Sequence, residues 1–110
     1  MAKIAYYLER AVADGASDIF IVAGGPVSEK LDGHLQPLAE ARLSPQDTEQ
    51  ILTGIYGAAA RNMDHYLQKG DDDFSFAIPG LARFRVNTYR QRGSMAAVIR
   101  LVSLDRKSVV

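Results

Sequence analysis

Asp71-Asp72-Asp73-Phe74-Ser75-Phe76-Ala77-Ile78-Pro79-Gly80-Leu81-Ala82-Arg83-Phe84-Arg85-Val86-Asn87-Thr88-Tyr89-Arg90-Gln91-Arg92-Gly93-Ser94-Met95-Ala96-Ala97-Val98-Ile99-Arg100-Leu101-Val102 is the stretch whose reading decides the fold. Three runs alternate apolar and polar residues. Pro79-Gly80 and Arg92-Gly93 divide them, which predicts three antiparallel strands joined by two hairpins. Phe74, Phe76 and Ile78 share a face in the first run, as do Ala82, Phe84 and Val86 in the second. A two-residue Pro79-Gly80 loop would set Phe76 against Arg83, and a one-residue slip turns every side chain over. The spacing therefore predicts an odd-length loop, Pro79-Gly80-Leu81, closed by a left-handed residue.

The third run buries the opposite parity: Met95, Ala97, Ile99 and Leu101. The second hairpin thus needs an even-length loop, either Gln91-Arg92 or Arg90 to Gly93. Both set Arg100 across from Arg83 on the non-core face, with Arg85 one step along. Like charges directly opposite one another destabilise a sheet, so an anion is expected nearby. The alternative is that Arg85 pairs with Asp73 or hydrogen-bonds Ser75 while Arg83 and Arg100 reach into solvent.

Working outward, 110 residues make one domain, and 47% apolar with 24% charged residues is globular composition. A formal net charge of zero argues against a dedicated nucleic-acid binder, whose affinity rests on excess Lys and Arg. Cysteine is absent, which removes disulfides, thiolate metal sites and thiol nucleophiles. The only histidines, His34 and His65, stand apart and read as exposed rather than as metal ligands. The start lacks the apolar core of a signal peptide, and no run approaches a membrane span. A soluble cytoplasmic chain is expected.

Residues 2 to 13 are helical in pattern, with Ile4, Leu8, Ala11 and Val12 on one stripe and Gly15 as the left-handed stop. Ile19-Phe20-Ile21-Val22-Ala23 is apolar on both faces and reads as a central strand covered on both sides. Val27 to Leu31 and His34 to Leu38 form a hairpin about Asp32-Gly33. Ser44-Pro45-Gln46-Asp47 starts a helix whose apolar face is Ile51, Leu52, Ile55 and Tyr56. Gly57 should interrupt it. A second helix is expected from about Ala58 to Gln68, burying Met63, Tyr66 and Leu67 and ended by Lys69-Gly70. Grouped helices and strands give an α+β fold, a mostly antiparallel sheet with helices packed on one side and a C-terminal three-stranded meander.

Other candidates read plainly. Asp71-Asp72-Asp73 lacks the alternating acids of a calcium loop and is expected to be a solvated turn that blunts a strand edge. Gly24-Gly25-Pro26 follows a strand, but no helix follows it directly, so it is a turn rather than a phosphate cradle. The five tyrosines make no stacking stripe, and Tyr89 is the one expected to be exposed.

Ala16-Ser17-Asp18, Leu31-Asp32-Gly33, Asp73-Phe74-Ser75-Phe76, and Ala82-Arg83-Phe84-Arg85-Val86-Asn87 with Gln91-Arg92-Gly93 and Arg100 occur here in one order. Together they resemble the N-terminal domain of PilT-type ATPases, the motors of type IV pilus retraction, and their type II secretion relatives. The resemblance runs from about Ile4 to Leu101. It implies a PAS-like module over residues 1–102, with 103–110 the start of a linker to an absent RecA-like ATPase domain. It further implies a homohexamer in which this domain packs on the ATPase domain of the next subunit. The ring would sit at the inner membrane through pilus or secretion machinery, with no nucleic acid as partner. ATP would lie between a subunit's own two domains, with Mg²⁺. The basic residues that help close that cleft match Arg83, Arg85, Arg92 and Arg100.

Two departures are plain. Pro26-Val27 and Lys30 stand where the family usually has paired prolines and an arginine, and lysine makes no bidentate fork. No Gly-x-x-x-x-Gly-Lys-Ser/Thr occurs, so the chain alone is not expected to hydrolyse ATP. The rivals are a stand-alone PAS-like sensor and a structural module whose arginines meet a partner's carboxylates. Against the sensor, Phe74, Phe76, Phe84, Val86 and Ile99 are expected to fill the inner face, with no polar anchor pointing inward.

Overall fold

The computed structural model describes residues 2–102. The elements run α1 (Ala2–Asp14), β1 (Asp18–Ile21), β2 (Ser28–Leu31), β3 (His34–Pro37), α2 (Pro45–Ala58), α3 (Asp64–Lys69), β4 (Asp72–Ile78), β5 (Ala82–Gln91) and β6 (Ser94–Val102). The strands form one 6-stranded sheet in the order β3-β2-β1-β6-β5-β4. Every neighbouring pair is antiparallel. The α+β reading and the C-terminal meander both hold.

Local chemistry sets the ends of the elements. Gly15 takes φ 77°, its N–H reaches the Val12 carbonyl and the Ala16 N–H reaches that of Ala11, a Schellman stop. Ser44 closes a capping box, donating its N–H to the Asp47 carboxylate and accepting the Asp47 N–H. Ile4, Leu8 and Ala11 of α1 and Ile51, Leu52, Ile55 and Tyr56 of α2 pack against Ile19, Ile21, Phe84, Val86, Ala97 and Ile99 of the sheet.

The first hairpin has the expected three-residue loop, since Ile78 pairs with Ala82 and Phe76 with Phe84. Its left-handed residue is Gly80, in the middle of the loop. The second hairpin is even, as expected, but its loop is Arg92-Gly93, because Gln91 pairs with Ser94. Arg92 and Gly93 take φ 55° and 82°, as Asp32 and Gly33 take 52° and 82°. A type I′ turn needs positive φ at both central positions, and glycine meets that need at least cost. A Gln91-Arg92 loop would have left Gly93 outside the turn. The shift corrects the facing pair: Arg100 lies opposite Arg85, and Arg83 opposite Val102.

Four further expectations need correction. Gly57 does not interrupt α2, which runs on to Ala58. A mid-helix glycine costs only about 1 kcal/mol, less than the burial of Ile51, Leu52, Ile55 and Tyr56 returns. Ala60 at φ 55° ends the helix instead, and the second one begins only at Asp64, whose N–H goes to the Asn62 side chain. Tyr66 is buried and Met63 half-buried, but Leu67 is exposed. β1 is central, yet only Ile19 and Ile21 are fully buried, while Phe20 and Val22 are half-buried. The helices cover one face of the sheet and leave the other open.

Candidate functional site: the open arginine face

Strand alternation sorts the side chains onto two faces. On the open face one row in register runs Ser75 (β4), Arg85 (β5), Arg100 (β6), Asp18 (β1) and Lys30 (β2). Arg85 Nη2 lies 3.6 Å from Asp73 Oδ2, and Arg100 Nε lies 3.7 Å from Asp18 Oδ2. Both are longer than a hydrogen bond, so they are Coulombic contacts between loosely held groups. The Arg85 and Arg100 side chains are 64% and 71% exposed. Asp18 is more enclosed and accepts a bond from the Ser17 hydroxyl at 2.6 Å. A shallow depression of about 170 Å³ lies between these groups, floored by Asn87 and Val98.

The four arginines singled out in the sequence do not all meet. Arg85 and Arg100 stand side by side. Arg83 is exposed on the same face, one step along β5. Arg92 is in the far turn, about 23 Å along the strand from Arg85 at ~3.3 Å per residue. The Arg85–Asp73 contact is the pairing weighed above. Arg100 finds Asp18 through the β1–β6 pairing, which alternation within the meander does not reveal.

On the opposite face lies a polar cluster that corrects two expectations. Asp72 is no part of a solvated turn; it opens β4 and is 4% exposed. Its carboxylate accepts Arg61 Nε and Nη2, each at 2.9 Å, and the Tyr56 hydroxyl at 2.9 Å. That hydroxyl also bonds Thr88 Oγ1 at 2.9 Å, and the Arg61 guanidinium lies 5.2 Å above the Phe74 ring. Arg61 holds the Asp72 carboxyl below its ordinary range, with the Tyr56 bond adding to the effect. Burial first, then the neighbouring carboxylate, pushes Tyr56 up to about 12. Polar groups therefore do point inward, but they satisfy one another. Asp72 shares the even parity of Phe74 and Phe76, and Thr88 that of Phe84 and Val86, so the period itself carried the signal.

Glu29 shares the parity of Val27 in the same way and is 3% exposed. Burial, then the facing Asp14 carboxyl, pushes it up to about 7, against a lowering by Arg10. Its Oε1 has no hydrogen-bond partner among the described residues. Tyr6 rather than Tyr89 is the exposed tyrosine, because Tyr89 is half-buried beside Tyr66, whose hydroxyl donates to the Tyr89 carbonyl.

The remaining features hold no comparable chemistry. The Gly24 N–H donates to the Leu43 carbonyl and the Leu43 N–H to that of Gly25, so this turn is tied down by backbone pairing. His34 and His65 are exposed. Among the described residues, no three His, Asp or Glu come together to hold a metal, and no helix is long and apolar enough to cross a membrane. An open groove of about 1060 Å³ is lined by Ile4, Ala5 and Leu8 of α1, by a mixed face of α2 that includes Gln46, Glu49, Gln50, Ile51 and Thr53, and by Ile78. A surface depression of about 410 Å³ includes Arg61, whose guanidinium is already committed to Asp72.

No protein-family model matches the sequence. The chain is 32% identical over 94 residues to the type IV pilus ATPase PilU of Pseudomonas aeruginosa, covering 86% of this chain and 24% of that protein. It is 34% identical over 92 residues to the type IV pilus retraction ATPase PilT of the same organism, covering 80% and 25%. A crystal structure of the pilus retraction motor PilT with bound ADP superposes with a TM-score of 0.76 at 35% identity, over 90% of this chain and 29% of that one. The Legionella pneumophila ATPase DotB superposes at 0.74 and 27% identity, over 92% and 28%. The chain spans about a quarter of the length of the curated relatives it matches.

Proposed function

The chain belongs to the PilT-type ATPases as their N-terminal domain, and from that premise we propose that its open sheet face closes over a nucleotide held by an ATPase domain. In this reading residues 1–102 form the closing domain, and 103–110, which lie outside the described residues, begin a linker toward a RecA-like domain. The longer protein is a cytoplasmic homohexamer driving pilus retraction, attached to the inner membrane through the pilus machinery. Closure of the cleft in one subunit moves this domain against the next subunit's ATPase domain, which turns nucleotide state into motion.

One observation carries the reading. Arg85 and Arg100 face each other across β5 and β6 on an otherwise open, rigid face, where only loose contacts hold them. Guanidinium groups suit phosphate oxygens, and added positive charge stabilises a transferring phosphoryl group. The residues present fit the phosphate end of a nucleotide. Mg²⁺ would be held by residues of the ATPase domain of the longer protein.

In the longer protein, Arg85→Ala and Arg100→Ala are expected to lower ATP turnover by about tenfold or more, well within the range of a transition-state arginine. Each variant should keep its unfolding midpoint. Wild-type turnover in both would sink the proposal.

A further inference from the structure

Read from β2 to β5, one register row of the open face presents Lys30, Asp18, Arg100 and Arg85, and Asp73 stands diagonally across from Arg85 on β4, opposite Asn87. Two arginines side by side repel. Here the two carboxylates draw them apart, Arg100 toward β1 and Arg85 toward β4. The depression of about 170 Å³ lies among Asp18, Arg100, Arg85 and Asp73. We propose that Asp18 and Asp73 are built-in counter-ions, positioning residues that keep Arg100 and Arg85 extended and that an incoming polyphosphate displaces.

This inference rests on the nucleotide-facing reading and adds to it a competition for the same guanidiniums. At 3.6 and 3.7 Å the contacts are long enough to exchange readily. The two aspartates differ in footing. Asp18 is 14% exposed and fixed by the Ser17 hydroxyl, whereas Asp73 is 59% exposed. Asp18 therefore holds its arginine in a better-defined place, and the competition is stronger on that side. The two carboxylates offset the charge of Arg85 and Arg100 locally, while Lys30 and Arg83 keep the wider face positive. This disfavours weak monovalent anions at the pair and favours a phosphate chain carrying several charges.

The test is titration of the 110-residue chain with inorganic triphosphate at low ionic strength, following the Nε–H resonances of Arg85 and Arg100 by NMR. Asp18→Asn and Asp73→Asn keep side-chain volume and remove one charge each. Asp18→Asn should bind triphosphate about threefold to fivefold tighter, and Asp73→Asn about twofold tighter, the scale of releasing a weak exposed ion pair. Should Asp18→Asn fold poorly, Asp73→Asn still decides the matter, because its side chain is largely in solvent. Asparagine variants that bind no tighter than wild type would overturn the counter-ion role while leaving the nucleotide-facing reading in place. Absence of any arginine shift in every variant, or full binding by an Arg85→Ala/Arg100→Ala double variant, would remove that reading and this inference together.

Discussion

Asp72 and Asp73 are neighbours on one strand, and each meets an arginine, yet the two pairs do different things. Asp72 turns inward, is nearly inaccessible, and accepts a two-point fork from Arg61 at 2.9 Å together with the Tyr56 hydroxyl. Asp73 turns outward and approaches Arg85 at 3.6 Å with both groups mostly in water. A forked, enclosed pair that satisfies every lone pair locks its surroundings, whereas an exposed single contact is worth little and is easily traded. The inner cluster ties α2, the α2–α3 connection, β4 and β5 together. The outer row is left available to something beyond the domain.

The largest effect should come from removing one inner partner. Asp72→Ala leaves the Tyr56 hydroxyl and the Arg61 guanidinium without their acceptor. It is expected to cost roughly 3 kcal/mol, at the low end for a broken buried pair because Arg61 keeps water access. Thermal unfolding should drop by about 15 °C, whereas the same substitution at Asp73 should change stability by less than ~0.5 kcal/mol. Equal losses at the two sites, measured by denaturant unfolding, would erase the contrast.

A smaller effect should follow pH. Glu29 keeps its proton up to about 7 in the folded chain, above its ordinary 4.5. Its contribution is therefore full below the unfolded value and is lost as pH rises through about 7. The wild-type domain should be on the order of 2 kcal/mol more stable near pH 5 than near pH 8 from this group. Glu29→Gln should flatten that slope. Asp72 acts with the opposite sign: its lowered value gives stability above the ordinary carboxylate range that is lost as pH falls through it. Stability that rises steadily toward alkaline pH would refute the assignment to Glu29.

Much of this fold was legible because alternation and turn chemistry are local. The Gly15 stop, the Ser44 capping box and the three-residue Pro79-Gly80-Leu81 loop all follow from residues within a few positions of one another. The register of the second hairpin escaped because parity admits several even loops, and only the demand for two positive φ values selects Arg92-Gly93. The helix ends around Gly57 and Ala60 were hidden because packing of Tyr56 and Ile55 overrides a weak local preference. The arginine face was half visible. Its residues were named from their parity, but Arg100 meeting Asp18 depends on β1 entering between β2 and β6, a long-range choice. The inner cluster is not evident from local pattern: Asp72 and Thr88 sit at core parity, but Asp71-Asp72-Asp73 together has the composition of a solvated turn. A buried acid needs a distant partner, and Arg61 lies in the α2–α3 connection, where the sequence pattern predicts helix.

The most direct test is a nucleotide-bound structure of the longer protein. At least one guanidinium among Arg83, Arg85, Arg92 and Arg100 should lie within ~2.7–3.2 Å of a phosphate oxygen, with Asp72 still holding Arg61. All four turned toward protein carboxylates or solvent, with a nucleotide in place, would contradict the assignment.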